Sequence, residues 1–142
     1  MVNGFHLMAK GLIMKFEQMD VWKKSSRLAC EIYKVMFVCK DYGFKDQITR
    51  AALSIPSNIA EGLERETEND EARFLYYAKG SAGELVTQLY IGIEIKFIDK
   101  HVGLQLISEA KEVAAMIAAL IKLRKGCVKE SAIEYHFEEP RT

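Results

Sequence analysis

From Val21 to Lys125 the apolar residues of this chain recur at steps of three and four, and no run alternates apolar with polar residues as a half-buried strand would. That periodicity confines the fold to helices packed on helices. In the first segment, Val21 to about Val38, Leu28, Ile32 and Val35 form one stripe. Trp22, Ala29, Tyr33 and Met36 form an adjacent one, so the apolar face is wide, and Asp20 is its expected N-cap. The stretch CKDYGFK then breaks the pattern around Gly43.

A second helix is expected from about Phe44 to Leu63, with Pro56 inside the block SIPSNIAEG. Proline has no amide donor and crowds the carbonyl four residues back, here Ala52, so the helix is expected to kink at Pro56. The competing reading is two short helices, the second capped by Ser54 or Ile55. Thr67, with Asp70 three residues on, marks the N-terminus of a third helix reaching about Phe97, and Glu68, Asp70 and Glu71 suit its positive end. Gly80, Gly83 and Gly92 lie inside it, each costing up to about 1 kcal/mol relative to alanine, which predicts close approach of a neighbouring backbone. A fourth helix is expected from about Gly103 to Lys125, with Lys122, Arg124 and Lys125 at its negative end and Gly126 as the stop.

Short connections between four helices imply an all-α, antiparallel up-down-up-down four-helix bundle. The expected organisation is an N-terminal extension over 1–15, with Met8 or Met14 a candidate natural start, the bundle over 16–126, and a C-terminal tail over 127–142. With 142 residues and 49% hydrophobic content the chain suits one domain with one core. The longest apolar run, VAAMIAALI from Val113 to Ile121, falls far short of the roughly 20 residues of a membrane span, so no membrane partner is expected. Cys30, Cys39 and Cys127 are odd in number and lack CxxC spacing, which argues against a disulfide framework or zinc site and for a cytoplasmic location. Cys30 is read as a core residue rather than a nucleophile.

Two polar stripes repeat the same spacing. Arg50, Ser54, Asn58, Glu61 and Arg65 share one face of the second helix, and Arg73, Tyr77, Ser81, Glu84 and Gln88 share one face of the third. Folding the helices antiparallel would pair Glu61 with Arg73, Asn58 with Tyr77, Ser54 with Ser81 and Arg50 with Glu84. The expected result is a structural polar seam that fixes register, with Gly80 and Ser81 admitting close approach. No catalytic residue, metal site or cofactor is assigned. The serines lack a sequence-evident basic partner, and none of His6, His101 and His136 stands in a Glu-x-x-His pair. A metal-dependent hydrolase on Glu61, Glu64, Glu68 and Glu71 is the weakest of three functional readings.

Twenty basic and twenty acidic residues cancel, so the chain as a whole has no attraction for phosphate backbones. A nucleic-acid contact would have to be local, and Lys23, Lys24 and Arg27, within a basic group that also includes Lys10, Lys15 and Lys34, are the candidates.

The blocks KFEQMDVWKKSSRLACEIYKV, QITRAALSIPSNIAEGLER and ARFLYYAKGSAGELVTQL resemble the signature of the 23S rRNA intervening-sequence proteins, the S23 family. The resemblance covers about Phe16 to Leu123. It implies an up-down bundle that assembles into a homopentamer, with the wide apolar faces of the first and fourth helices also serving subunit contact. It further implies kinship with the accessory variability proteins of diversity-generating retroelements, which bind a reverse transcriptase and nucleic acid. The resulting expectation is a non-enzymatic scaffold or interaction protein, with an RNA- or nucleoprotein-binding accessory role as the alternative.

Overall fold

The computed structural model describes the backbone of residues 14–131 and the side chains of residues 14–124. The extension up to residue 13 and the tail from residue 132, with His6, Lys10 and His136, lie outside the described residues. So do the side chains of Lys125, Cys127 and Lys129. A short 3-10 turn, Lys15–Gln18, leads into four helices: α1 (Asp20–Met36), α2 (Tyr42–Leu63), α3 (Glu68–Glu94) and α4 (Lys100–Ser131).

The helix starts follow from short polar side chains that satisfy orphan amides. Asp41 accepts from the Phe44 amide at 2.9 Å, Thr67 from the Asp70 amide at 3.2 Å, and Asp99 from the Val102 amide at 3.1 Å. Thr67 is the cap expected from the sequence. Asp20 is not: Met19 occupies the cap position without a side-chain bond, and Asp20 is the first helical residue, where its charge favours the positive end of the dipole. Gly43 likewise lies within the first turn of α2 rather than in the break.

α2 runs unbroken through Pro56, which excludes the reading of two short helices. α3 ends three residues before the expected Phe97. The Phe97 amide bonds the Gly92 carbonyl at 2.9 Å and the Lys96 amide bonds that of Ile93 at 3.1 Å, with Lys96 at φ 65°. This is a Schellman turn with lysine where glycine is usual, so its sequence signal is absent. Gly126 does not stop α4, which continues to Ser131.

Each helix buries one apolar stripe. Leu28, Ile32 and Met36 from α1, Ile48, Ile55 and Ile59 from α2, Leu75, Leu85 and Leu89 from α3, and Val113 and Ile117 from α4 meet in one core. Contacts run in opposite order along successive helices. Gly62 of α2 faces Glu71 and Phe74 of α3, whereas Phe44 meets Phe97 at a ring distance of 5.4 Å. Arg124 of α4 meets Glu71, whereas Lys111 meets Tyr90.

The close approach expected at Gly80 and Gly83 does not occur, since both face open space. Gly92 is covered by the side chains of Ile98 and Phe44. Among the described residues, the glycine that admits a neighbouring backbone is Gly62, where an added Cβ would lie 3.0 Å from the Glu71 carbonyl oxygen. Gly62→Ala is therefore expected to destabilise by about 1–3 kcal/mol. Gly80→Ala and Gly83→Ala should each stabilise the single chain by up to about 1 kcal/mol, with denaturant unfolding as the measurement.

Candidate functional site

The polar stripes keep their helical spacing but find their partners locally. Arg50 Nε bonds Asp46 at 2.9 Å, Arg65 pairs with Glu61, Arg73 pairs with Asp70 at 3.2 Å, and Gln88 donates to Glu84 at 3.2 Å. Ser54 donates to the Ala51 carbonyl at 2.8 Å and Asn58 to the Ser54 carbonyl at 2.8 Å. Tyr77 packs edge-on against Phe74, and the guanidinium groups of Arg65 and Arg73 lie 4.5 and 5.2 Å from that ring's centroid. None of the four expected cross-helix pairs forms. A partner one turn away needs no agreement between helices, so the local pair wins.

The cross-helix polar contact that is buried joins residues the stripes did not include. Arg124 Nε lies 2.9 Å from Glu71 Oε1, with the side chains 21% and 7% exposed. The atoms are close but not aligned as a hydrogen bond, so the contact is an ion pair. Glu71 was legible as a helix-start acid and Arg124 as a helix-end base, but nothing in the sequence links positions so far apart. Two partly exposed contacts join α4 to its neighbours: Lys24 to Glu112 at 2.8 Å, and Lys111 to the Tyr90 hydroxyl at 3.2 Å.

These pairings bear on the other candidate residues. With Glu61 engaged by Arg65 and Glu71 by Arg124, the four acids of the hydrolase reading do not gather. No three Asp, Glu, His or Cys side chains come within metal-holding distance among the described residues. Of the basic trio, Lys24 is tied to Glu112, Lys23 is half-buried, and Arg27 is exposed on α1. Cys30, expected in the core, is an exposed free thiol.

One end of the bundle carries an apolar surface. Phe37, Val38 and Tyr42, around the α1–α2 connection, are 78%, 80% and 75% exposed. The Phe44–Phe97 contact brings the α3–α4 connection to the same end, adding exposed Ile95 and partly exposed Phe97. Lys45 holds the patch in place, its ammonium 5.7 Å from the Phe37 ring centroid and 3.3 Å from the Phe37 carbonyl oxygen. The α2–α3 connection, Glu64, Arg65, Glu66 and Thr67, is by contrast polar throughout.

Residues 17–119 match the family model of the 23S rRNA-intervening sequence protein. The chain belongs to that family. Among the solved structures, this family member is similar to a protein of unknown function from the S23 ribosomal protein family of Bacteroides thetaiotaomicron. The two are 25% identical, with a TM-score of 0.68 over 72% of this chain and 98% of that one. No curated protein matches. The matched span of the intervening-sequence family lies within the bundle and includes Glu71 but stops before Arg124, so the buried pair straddles its edge. No helix among the described residues is long and apolar enough to cross a membrane.

Removing one partner of the buried pair leaves the other uncompensated, so Arg124→Ala, which strands the more deeply buried Glu71, is expected to destabilise by about 3 kcal/mol. Glu71→Ala should destabilise by less, and the double variant by less than the sum. A Glu61→Ala/Arg73→Ala cycle, whose members are satisfied within their own helices, should close to within about 0.5 kcal/mol of additivity. Urea unfolding of the two cycles measures both.

Proposed function

We propose that this protein is a non-enzymatic scaffold that associates with copies of itself, five to a ring, and presents a helical surface to other molecules. The observation that carries the reading is the exposed apolar end of the bundle. The core is already complete, with Ile48, Ile55, Leu75, Leu85 and Val113 wholly buried, so Phe37, Val38 and Tyr42 are surplus to its needs. Three large apolar side chains, each at least three-quarters exposed and close together in the chain, form the kind of patch that marks a protein contact. Family membership supports the bundle architecture, and the fivefold ring is the assembly that the family resemblance implies.

The accessory reading, in which Lys23, Lys24 and Arg27 meet RNA or a reverse transcriptase, draws less support. Lys24 is already paired with Glu112, and acidic and basic residues balance along the chain.

Light scattering of the full chain is expected to give the mass of five copies. Substituting Phe37→Asp together with Tyr42→Asp should bring that mass to one copy while the helical circular-dichroism signal is retained. A single-copy mass for the unaltered chain would overturn the reading. Co-purifying RNA released by raised salt would replace it with the accessory role.

A further inference from the structure

Between the start of α1 and the C-terminal half of α4 lies a groove of about 470 Å³, with Gln18, Met19 and Asp20 on one side and Met116, Leu120 and Leu123 on the other. It sits at the end of the bundle where Arg124 meets Glu71, opposite the exposed Phe37 and Val38. Leu123 is 62% exposed, and Met19, Met116 and Leu120 are only partly covered by the core. Asp20 is the one charged residue of the described lining.

The chain itself supplies an occupant at this place. Residues 1–13 join the described structure at Met14, which precedes Gln18 by one 3-10 turn, about 8 Å. Extended, that segment spans up to about 45 Å, whereas the groove from Met116 to Leu123 runs about 10 Å. Its sequence, MVNGFHLMAKGLI, brings Phe5, Leu7, Met8, Leu12 and Ile13, contains no acid and carries Lys10. In the turn itself, Glu17 Oε2 is buried without a hydrogen-bond partner among the described residues, an acceptor that lacks a donor. Glu17 and Asp20 thus put acid beside an apolar groove, the complement of an apolar segment with one lysine. Residues 132–142 fit less well. α4 carries them on to Ser131, about 12 Å past Leu123, and they hold Glu134, Glu138 and Glu139 against Arg141. The groove also lies where the family-matched span, residues 17–119, gives way to sequence outside it, since Leu120 and Leu123 fall beyond the match.

We propose that residues 1–13 dock in this groove, their apolar side chains covering Met116, Leu120 and Leu123 and Lys10 meeting the Glu17 and Asp20 carboxylates. The docked segment ties α1 to α4, which otherwise meet less closely than α1 and α2. The inference is independent of the assembly proposed above, which rests on the other end of the bundle.

Methionine oxidation by a pulse of hydrogen peroxide reads the groove directly. Met19 and Met116 line it, while the fully buried Met36 reports any loss of fold. Peptide mapping compares the full chain with the chain begun at Met14. Removal of residues 1–13 is expected to speed oxidation of Met116 severalfold, and of Met19 with it, while Met36 stays unreactive. In the full chain, Leu12→Asp should reproduce the change and Lys10→Glu should produce a smaller one, so the result stands even if the shortened chain unfolds. Protection in the full chain should not vary with protein concentration. Equal Met116 oxidation with and without residues 1–13, or no response to Leu12→Asp, overturns the proposal. Protection lost on removing residues 132–142 would give the groove to the tail, and protection lost on dilution would give it to a second copy. Either result overturns it equally.

Discussion

Leu75, Ala78, Ala82, Leu85 and Leu89 run wholly buried along α3, and the spacing of the molecule depends on that stripe. Alanine between leucines lets two helices approach α3 at once, with α2 answering through Ala51, Ala52 and Gly62 and α4 through Ala110 and Val113. Polar contacts then constrain the alignment: Glu71 with Arg124 near one end of α3 and Tyr90 with Lys111 nearer the other. Burial supplies the stability, while the paired charges disfavour shifted alignments that would strand Glu71 inside the protein.

α1 is attached differently. It packs mainly on α2 and less on α4, and its links to α4 include the partly exposed Lys24–Glu112 pair. Its outward side therefore keeps a concavity against α2, and its C-terminal end leads into the exposed Phe37 and Val38. α1, the helix least committed to the core, thus borders both surfaces. α3, although packed on two neighbours, still leaves Tyr76, Tyr77, Tyr90 and Ile91 exposed, and Gly80 and Gly83 face outward.

The architecture was legible because helix formation and burial both write a short period into the sequence. The four apolar stripes and the Thr67 cap depend on residues within a turn or two of one another. Polar partners were not legible in the same way. The spacing of Arg50, Glu61, Arg73 and Glu84 located their faces, but Asp46, Arg65, Asp70 and Gln88 stood within one turn and captured them. The Schellman turn at Lys96 lacked its glycine. Cys30 sat beside a core stripe in the pattern, yet the α1–α2 groove leaves it exposed.

The connections between helices are short: residues 37–41, 64–67 and 95–99. Neighbouring helices are also sequence neighbours for three of the bundle's packed pairs, so little chain entropy is lost in bringing them together before their contacts form. Such a topology belongs to the class of bundles that fold in microseconds to milliseconds. Association between chains, in contrast, slows as concentration falls. Under the proposed assembly, a newly made chain would complete its core well before it met another copy, and the apolar end would spend that interval uncovered, making the supply of chains rather than their folding the step that governs how long it stays so.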